Sequence, residues 1–312
     1  MRLVITGGLG HIGSGVLKKI SSFYRVNKVL VIDNLLSNRF NVLFNIADDK
    51  KIEFNYLNRD ILSLDLNKIL KKNDIIIHLA AITNATESFK IRNKVFNNNF
   101  LSTKKIANAC IKKNAKCIFF SSTSVYGSSK KIMLESDKKN LKPQSPYAEC
   151  KIKEENYINK VFKNKKKGKM VILRLGTIFG VSEGIRFHTA VNKFCFQAAT
   201  KNPLTIWKTA YNQKRPYLDL NDVIRSIKFI IERNLFDNDT YNLASQNLTI
   251  RQLISKIKKY KKIKINYVSS KIMNQLSFTV NCDKIKKKGF RFKGNLDQQI
   301  KNTLNLFRGI NK

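Results

Sequence analysis

A glycine-rich turn follows directly on the first apolar run of this 312-residue chain. Residues 2–6 are mostly apolar and have no helical period, which predicts a buried strand, and a helical pattern begins after the turn. Glycine allows the sharp bend and lets a pyrophosphate approach the backbone, while N–H groups at the start of the helix bind its charge. The sequence therefore predicts a dinucleotide site in a Rossmann-type fold, formed by Gly7, Gly10, His11, Ile12 and Gly13.

An acidic residue ends the second strand-like run. Asp33 comes twenty residues after Gly13 and directly follows the apolar residues 29–32. A carboxylate at this place accepts hydrogen bonds from the adenosine ribose and repels a 2′-phosphate. NAD is therefore the predicted cofactor, although the nearby cation Arg39 would suit NADP.

Strand-like and helix-like runs alternate along the first part of the chain. The predicted strands lie near residues 2–6, 28–32, 52–55, 74–79, 116–121 and 170–175, and the predicted helices near 12–23, 98–113 and 146–163. Such alternation predicts an α/β fold, a doubly wound parallel sheet with helices on both faces. We expect a Rossmann domain over residues 1–175, to which 215–245 return, and a smaller C-terminal substrate-binding lobe within 176–312.

The charge of the chain is strongly positive, with 60 Lys and Arg against 21 Asp and Glu and a net charge of +39. Lys is spread over the chain and outnumbers Arg, whereas proteins that read base edges favour Arg. No specific nucleic acid is therefore predicted as a partner. A positive field would also attract a doubly charged nucleotide sugar.

The sequence lacks the patterns of membrane and metal proteins. No apolar run approaches the ~20 residues needed to cross a bilayer, and no leader pattern precedes the first strand. The five cysteines are scattered without a CxxC pair, and with three histidines in the chain no metal site is expected. We expect a cytoplasmic protein with reduced thiols and no membrane partner.

Tyr147 and Lys151 stand four residues apart in a predicted helix, which places them on one face. A tyrosine with a pKa of ~10 is a poor base at neutral pH. A nearby ammonium and the positive charge of oxidised nicotinamide favour the phenolate, so Tyr147 is predicted to accept and return a proton. Ser122, in the hydroxyl cluster 121–124 after a predicted strand, can face the same substrate oxygen. The pair alone would suit a surface helix of a Lys-rich chain, but with the glycine turn it predicts oxidoreduction.

Together these motifs resemble the extended short-chain dehydrogenases/reductases, in their nucleotide-sugar epimerase/dehydratase group, over essentially the whole chain. The resemblance implies a catalytic set of Ser122, Tyr147 and Lys151. It implies further cofactor contacts from strand ends and one helix: Asp33, Asn34, Asp60, Ile61, Leu79, Ala80, Ala81 and Asn99. It implies a nucleotide-diphosphate sugar as substrate, bound by Thr123, Thr177, Asn192 and Arg215. It also implies a homodimer formed through the helices near 98–113 and 146–163.

Two acids of the sugar dehydratases are missing from the hydroxyl cluster. Dehydratases of this group carry Asp-Glu directly after the catalytic threonine, where this chain has Thr123-Ser124. Elimination of water needs a carboxylic acid to protonate the leaving hydroxyl. The sequence therefore predicts an NAD-dependent epimerase that passes through a transient 4-keto sugar. Two alternatives stay open: an NAD(P)-dependent keto-sugar reductase or dehydrogenase with the same residues, and a non-catalytic RNA-binding member of the fold.

Overall fold

The computed structural model of the protein describes residues 1–44, 46, 50–127, 132–163, 169–269 and 277–310. In chain order its strands are β1 (Arg2–Thr6), β2 (Lys28–Asp33), β3 (Glu53–Asn58), β4 (Ile75–His78), β5 (Lys116–Ser122), β6 (Ile132–Met133), β7 (Met170–Leu175), β8 (Thr177–Phe179), β9 (Leu204–Trp207), β10 (Lys214–Asp219), β11 (Asp239–Leu243), β12 (Gln246–Thr249), β13 (Ile265–Val268) and β14 (Thr279–Val280). Its α-helices are α1 (His11–Lys18), α2 (Asn41–Phe44), α3 (Leu66–Ile69), α4 (Arg92–Lys113), α5 (Pro146–Lys163), α6 (Ala190–Ala199), α7 (Leu220–Glu232), α8 (Ile250–Lys258), α9 (Asp283–Lys287) and α10 (Leu296–Asn305).

Seven parallel strands form the main sheet, in the order β11-β7-β5-β4-β1-β2-β3. Successive side chains point to opposite faces of a strand, so Leu3 and Ile5 join one hydrophobic core while Val4 joins another. Because both faces are covered, the central strands are apolar on both sides. The predicted doubly wound α/β fold of Rossmann type is confirmed.

The first helix is shorter than the sequence indicated. α1 ends at Lys18 instead of near residue 23, and a 3₁₀ turn over Ile20–Ser22 follows it. The buried side chains Leu17, Ile20 and Phe23 are spaced by three residues. That spacing matches the three residues per turn of a 3₁₀ helix, so the same apolar face continues in a tighter coil.

The helix predicted near residues 98–113 is longer than expected, because it begins at Arg92. The asparagines at 97–99 disfavour a helix by local propensity. The amide of Asn99, however, is bonded to the backbone N and O of Ile82. It therefore does not compete for the backbone of its own helix, which continues through this position.

A third hydrophobic core belongs to the C-terminal part of the chain. Helices α6, α8 and α10 surround it, together with β9 and the three-stranded sheet β12-β10-β8. The strand β11 lies outside this core and pairs with β7 in the main sheet. The segment 239–243 thus returns to the main sheet between two parts of the smaller lobe.

The carboxyl edge of the main sheet is where a ligand has room to bind. From β1 the chain continues to β2 on one side, while β4 pairs with β1 on the other side. Ligands of open α/β sheets bind outside the carboxyl ends of the strands at such a reversal. The glycine turn follows β1 at this edge, and the hydroxyl cluster follows β5.

Candidate active site

The turn between β1 and α1 brings backbone segments too close together for side chains. Gly7 has a positive φ of 67°, and a Cβ atom there would lie 2.6 Å from the N of Ala80. A Cβ atom at Gly13 would lie 2.4 Å from the O of Gly8. The turn therefore carries no side chain at these positions, which lets a pyrophosphate approach the backbone at the N-terminus of α1.

Asp33 is held in place at the end of β2 by two backbone amides. Its Oδ2 atom accepts a hydrogen bond from the N–H of Leu9 at 3.0 Å, and Oδ1 accepts one from the N–H of Leu35 at 2.9 Å. Asp60 is oriented through its Oδ2 atom, which accepts from the Asn34 amide at 2.9 Å. Both carboxylates are thus set in fixed positions at the edge of the sheet.

A cavity of about 300 Å³ extends from the glycine turn past these two acids. The predicted cofactor residues on its wall are Gly7, Gly10, Asp33, Asn34, Asp60, Ile61, Leu79, Ala80 and Ala81. Arg39 lines the same cavity. Asn99 supports this wall indirectly, because its amide makes two hydrogen bonds of 2.8 Å to the backbone of Ile82, which lines the cavity.

A second cavity, of about 380 Å³, opens on the other side of the glycine turn. The predicted residues on its wall are Ser122, Tyr147 and Lys151, with His11, Ile12, Gly13, Thr123, Thr177 and Arg215. The Lys and Arg residues on the wall are Lys151, Arg186, Lys193 and Arg215, and none of the described lining residues is Asp or Glu. The cavity therefore suits an anionic ligand.

The hydroxyl cluster after β5 leaves Ser122 with a proton to donate. Its Oγ atom accepts hydrogen bonds from the N–H of Ser124 at 3.1 Å and from the Ser124 hydroxyl at 2.9 Å. A serine hydroxyl has one donor in addition to its acceptor sites, so the O–H of Ser122 can point to a ligand oxygen. Thr123 is buried and donates its own O–H to the O of Leu175 at 3.2 Å.

Tyr147 lies in the first turn of α5 with its ring buried. Burial raises the pKa of the Tyr147 phenol, and the Lys151 ammonium only partly opposes this effect. The Nζ atom of Lys151 is 5.9 Å from the centre of the Tyr147 ring. Lys151 therefore favours the phenolate, as the sequence indicated, while desolvation has the larger and opposite effect on the pKa of Tyr147.

The ammonium of Lys151 has a carboxylate partner one turn along the helix. Its Nζ atom lies 2.8 Å from Oε2 of Glu154, and 6% and 5% of the two side chains are exposed. Burial disfavours the charge of Lys151, but Glu154 and Tyr147 together outweigh it and raise the pKa of Lys151. Lys151 is therefore protonated, and an acid that the sequence analysis did not single out neutralises part of its charge.

Arg215 and Thr177 reach the larger cavity from two strands of the smaller sheet, β10 and β8. Burial lowers the pKa of Arg215. Asn192 is fully buried in α6, where its Oδ1 accepts from the N–H of Gly180 at 3.2 Å and its Nδ2 donates to the O of Arg186 at 3.0 Å. The Asn192 amide thus holds a backbone segment, and its effect on a ligand would be indirect.

Residues 180–189, which we call the crossing segment, run over the glycine turn after β8. The buried ring of His11 donates from Nε2 to the O of Gly180 at 2.8 Å. Burial lowers the pKa of His11 to about 3, which keeps this ring neutral. A Cβ atom at Gly184 would lie 2.6 Å from the O of Gly10, so the segment packs directly on the turn.

Two residues of the crossing segment line both cavities, and the sequence analysis missed them. They are Arg186 and His188. The Arg186 guanidinium also donates a hydrogen bond to the hydroxyl of Thr83. The sequence of this segment has neither a helical nor a strand period, so periodicity could not indicate it. The remaining signal was a glycine, Gly184, two residues before the cation Arg186.

Helices that could cross a bilayer and clusters of metal-binding side chains are both absent from the described part of the chain. None of its helices combines the length and the apolar character that crossing a bilayer requires. Within the same residues, no group of three or more His, Cys, Asp or Glu is arranged to hold a metal ion. The five cysteines are buried free thiols.

The sequence pattern of the NAD-dependent epimerase/dehydratase family matches residues 3–244. This chain belongs to that family. The matched region runs from β1 to the end of β11 and so includes the glycine turn, the hydroxyl cluster and the Tyr147 helix. A relative in this family, the ADP-L-glycero-D-manno-heptose-6-epimerase of Brachyspira hyodysenteriae, is 28% identical over 276 residues, which cover 86% of this chain and 84% of that protein.

Two solved structures of epimerases superpose on nearly the whole chain. The UDP-N-acetylglucosamine 4-epimerase of Methanobrevibacter ruminantium M1, in complex with UDP-N-acetylmuramic acid, is 26% identical and has a TM-score of 0.84, covering 99% of this chain and 98% of that one. The UDP-glucuronic acid 4-epimerase of Bacillus cereus, in complex with UDP-glucuronic acid and NAD, has a TM-score of 0.88 at 23% identity, covering 99% and 100%. The second likeness shows the shared fold.

Proposed function

We propose that this protein is an NAD-dependent epimerase of a nucleotide-diphosphate sugar that works through a transient 4-keto sugar. One observation carries the proposal. Ser122 and Tyr147 line one cavity beside the glycine turn, and none of the described residues on its wall carries a carboxyl group. A hydroxyl and a phenol can support oxidation of an alcohol and its reversal, whereas elimination of water would need an acid for the leaving hydroxyl.

The residues around the smaller cavity fit NAD. Gly7 and Gly10 line this cavity without side chains, so a pyrophosphate can approach the backbone of the turn, and the fixed carboxylate of Asp33 can accept hydrogen bonds from ribose hydroxyls. The two cavities meet at Gly7 and Gly10, so one dinucleotide can extend through both. When bound, NAD supplies the acceptor of a hydride and afterwards its donor.

Tyr147 moves the proton in this proposal. Its phenolate oxygen accepts the proton of the substrate hydroxyl as that carbon is oxidised to a ketone, and the phenol returns the proton when the ketone is reduced from the opposite face. Ser122 donates a hydrogen bond to the same oxygen and orients it. The Lys151 ammonium stabilises the phenolate. Proton and hydride both return to the sugar, so the reaction changes its configuration alone.

The substrate class follows from the positive lining of the larger cavity. Arg215 would bind the diphosphate, and Thr177, on the neighbouring strand β8, would contact the sugar. The names of the relatives support a sugar carried on a nucleoside diphosphate. The relative of 26% identity is a 4-epimerase, which supports C4 as the centre that is inverted.

We also propose a homodimer built on the outer faces of α4 and α5. Phe96 and Phe100 stack with ring centres 5.1 Å apart, and Tyr157 packs edge-on against Phe100 at 5.8 Å. All three rings are only half-buried in one chain. Aromatic clusters that are partly exposed in one chain are typical of protein interfaces. Light scattering should give twice the monomer mass for the native protein and a lower mass for Phe100→Asp, and a monomeric native protein would contradict the proposal.

The test of the epimerase follows substrate and cofactor together. The protein is incubated with UDP-glucose, UDP-N-acetylglucosamine or UDP-glucuronic acid, the products are identified by NMR, and reduced nicotinamide is measured by absorbance. An epimerase forms the C4 epimer without net NADH. Tyr147→Phe should lower turnover about 10²- to 10⁴-fold while NAD still binds. Tyr24→Phe, at an exposed tyrosine outside both cavities, is the matched control.

Each alternative has its own outcome in this test. Net consumption of NAD(P)H with a keto sugar would identify a reductase or dehydrogenase. A Tyr147→Phe variant as active as Tyr24→Phe would refute the mechanism. RNA binding that is sequence-specific and survives high salt, without turnover of any nucleotide sugar, would favour the RNA-binding member of the fold.

A further inference from the structure

The guanidinium of Arg186 lies where the two cavities meet. Gly10 and Thr83 line both cavities from the edge of the main sheet, and Arg186 lines both from the crossing segment. A Cβ atom at Gly10 would lie 3.7 Å from Nη2 of Arg186. The guanidinium also donates to the Thr83 hydroxyl. Arg186 therefore faces the phosphate-binding turn across the cleft.

Among the described residues, no acid of the protein balances the charge of Arg186. Within the described residues, no Asp or Glu forms an ion pair with its guanidinium, and the field of Arg39 acts against it. Burial lowers the pKa of Arg186 to about 10, which leaves the group charged at neutral pH. A partly desolvated cation without a counter-charge is costly unless an anionic ligand supplies one.

We propose that Arg186 binds the pyrophosphate of NAD from the side opposite the glycine turn. The inference rests on the proposed function, because it requires NAD in the cleft. Asp33 marks the adenosine side and Tyr147 the nicotinamide side, and the pyrophosphate is the part of the dinucleotide that joins the two. A guanidinium at the junction matches that group in charge and can bind its oxygens in a bidentate way.

The protein fixes the main chain of Arg186 from behind. The amide of Asn192 donates to the O of Arg186 at 3.0 Å and accepts from the N–H of Gly180 at 3.2 Å. Both bonds belong to a side chain with no exposed surface. Asn192 is therefore a positioning residue for Arg186, which accounts for a fully buried asparagine beside the cleft.

The experiment uses the full-length protein freed of nucleotide. Affinities for NAD and ADP-ribose are measured by calorimetry, and the affinity for adenosine by NMR titration. Arg186→Gln should lower the affinities for NAD and ADP-ribose by about 10- to 100-fold and leave the affinity for adenosine unchanged. Arg186→Lys keeps a point charge but lacks the planar guanidinium, so its affinity for NAD should lie between those of the native protein and Arg186→Gln. Arg59→Gln is the charge control, because Arg59 is a cation that lines only the smaller cavity. We expect it to cause a smaller loss of NAD affinity than Arg186→Gln.

Several results would overturn the assignment. The first is an unchanged NAD affinity in Arg186→Gln, and the second is a loss of adenosine affinity equal to the loss of NAD affinity. The third is a weaker affinity for an acidic nucleotide sugar such as UDP-glucuronic acid while NAD affinity is intact, which would mean that the guanidinium binds the substrate. If the Gln variant does not fold, Arg186→Lys decides, since native affinity for NAD in that variant would refute a bidentate contact. A native protein that binds NAD through Arg186 but epimerises no sugar would refute the proposed function and keep this inference.

Discussion

The Nζ atom of Lys151 and the Oε2 atom of Glu154 lie 2.8 Å apart in a buried turn of α5, next to the ring of Tyr147. Burial has the largest effect on the pKa of the Tyr147 phenol and raises it. Lys151 acts against burial, whereas Glu154 acts with it. The helix therefore carries a cation that favours the phenolate and an acid that weakens the cation. We expect the charge of Glu154 to set the pH at which Tyr147 can accept a proton.

Glu154→Gln should shift the pH profile of turnover to lower pH. Without the carboxylate, Lys151 lowers the pKa of Tyr147 more effectively, so the rising limb of kcat/KM moves down by about one pH unit. Glu154 also raises the pKa of Lys151, so the falling limb moves down as well. Of the remaining groups that act on the phenol, Arg186 is unchanged in the variant, whereas Cys150 loses the carboxylate that raises the pKa of its thiol. The measurement is the pH dependence of kcat/KM.

The control for this prediction is another glutamate of the same helix. Glu149 is exposed and pairs with Arg92 at the surface, 2.5 Å away. Glu149→Gln should keep both limbs of the profile in place. A Glu154→Gln variant that loses activity equally at every pH would show a purely structural role for the buried acid.

Asp33→Asn should weaken discrimination between NAD and NADP. The carboxylate accepts from the N–H groups of Leu9 and Leu35 and remains as the acceptor for the ribose hydroxyls. The amide of the variant lacks the negative charge that repels a 2′-phosphate. Arg39 lines the same cavity and can then bind that phosphate. The ratio of NAD to NADP affinity should fall about tenfold, for a change of about 1.4 kcal/mol, as measured by calorimetry.

Arg39 provides the internal check on the Asp33 prediction. In the double variant Asp33→Asn with Arg39→Gln, most of the gain in NADP affinity should disappear, because Arg39 is the cation whose charge interacts with Asp33 in this cavity. An equal gain with and without Arg39 would mean that relief of repulsion alone explains the change.

The parts of the site that lie close together in the sequence were predictable. The strand, the glycine turn and α1 are contiguous, and Tyr147 and Lys151 are one helical turn apart, so local periodicity was enough to place them. The hydroxyl cluster followed an apolar strand for the same reason. The pKa of Tyr147 was not predictable, because it depends on burial by distant elements and on Glu154, whose side chain could equally have pointed to solvent.

The crossing segment shows what the sequence could not reveal. Gly184 contacts Gly10, and Asn192 bonds the backbone of Gly180 and Arg186. The contact between Gly184 and Gly10 depends on how the smaller lobe folds back onto the main sheet. The sequence analysis expected Asn192 to bind the substrate, and only the folded chain shows that its amide is bonded to the backbone of Gly180 and Arg186.

Glu155→Gln should destabilise the fold strongly. Glu155 forms a buried ion pair with Arg174, with Nη2 and Oε2 2.6 Å apart and 5% of each side chain exposed. The neutral amide would leave a buried guanidinium without its counter-charge, which costs about 3–5 kcal/mol. Urea unfolding should show the loss, whereas Glu53→Gln, which breaks an exposed pair with Lys28, should leave the midpoint in place. Equal midpoints for the two variants would contradict the prediction.

Gly184→Ala should lift the crossing segment from the glycine turn and weaken NAD binding. The added Cβ atom would lie 2.6 Å from the O of Gly10 and from the O of Leu9, and backbone atoms cannot move aside cheaply. We expect a loss of about 1–3 kcal/mol in the free energy of unfolding and a lower affinity for NAD. Gly309→Ala is the matched control, since a Cβ atom there meets nothing within 4 Å. Native NAD affinity in Gly184→Ala would show that the segment does not help to form the cofactor site.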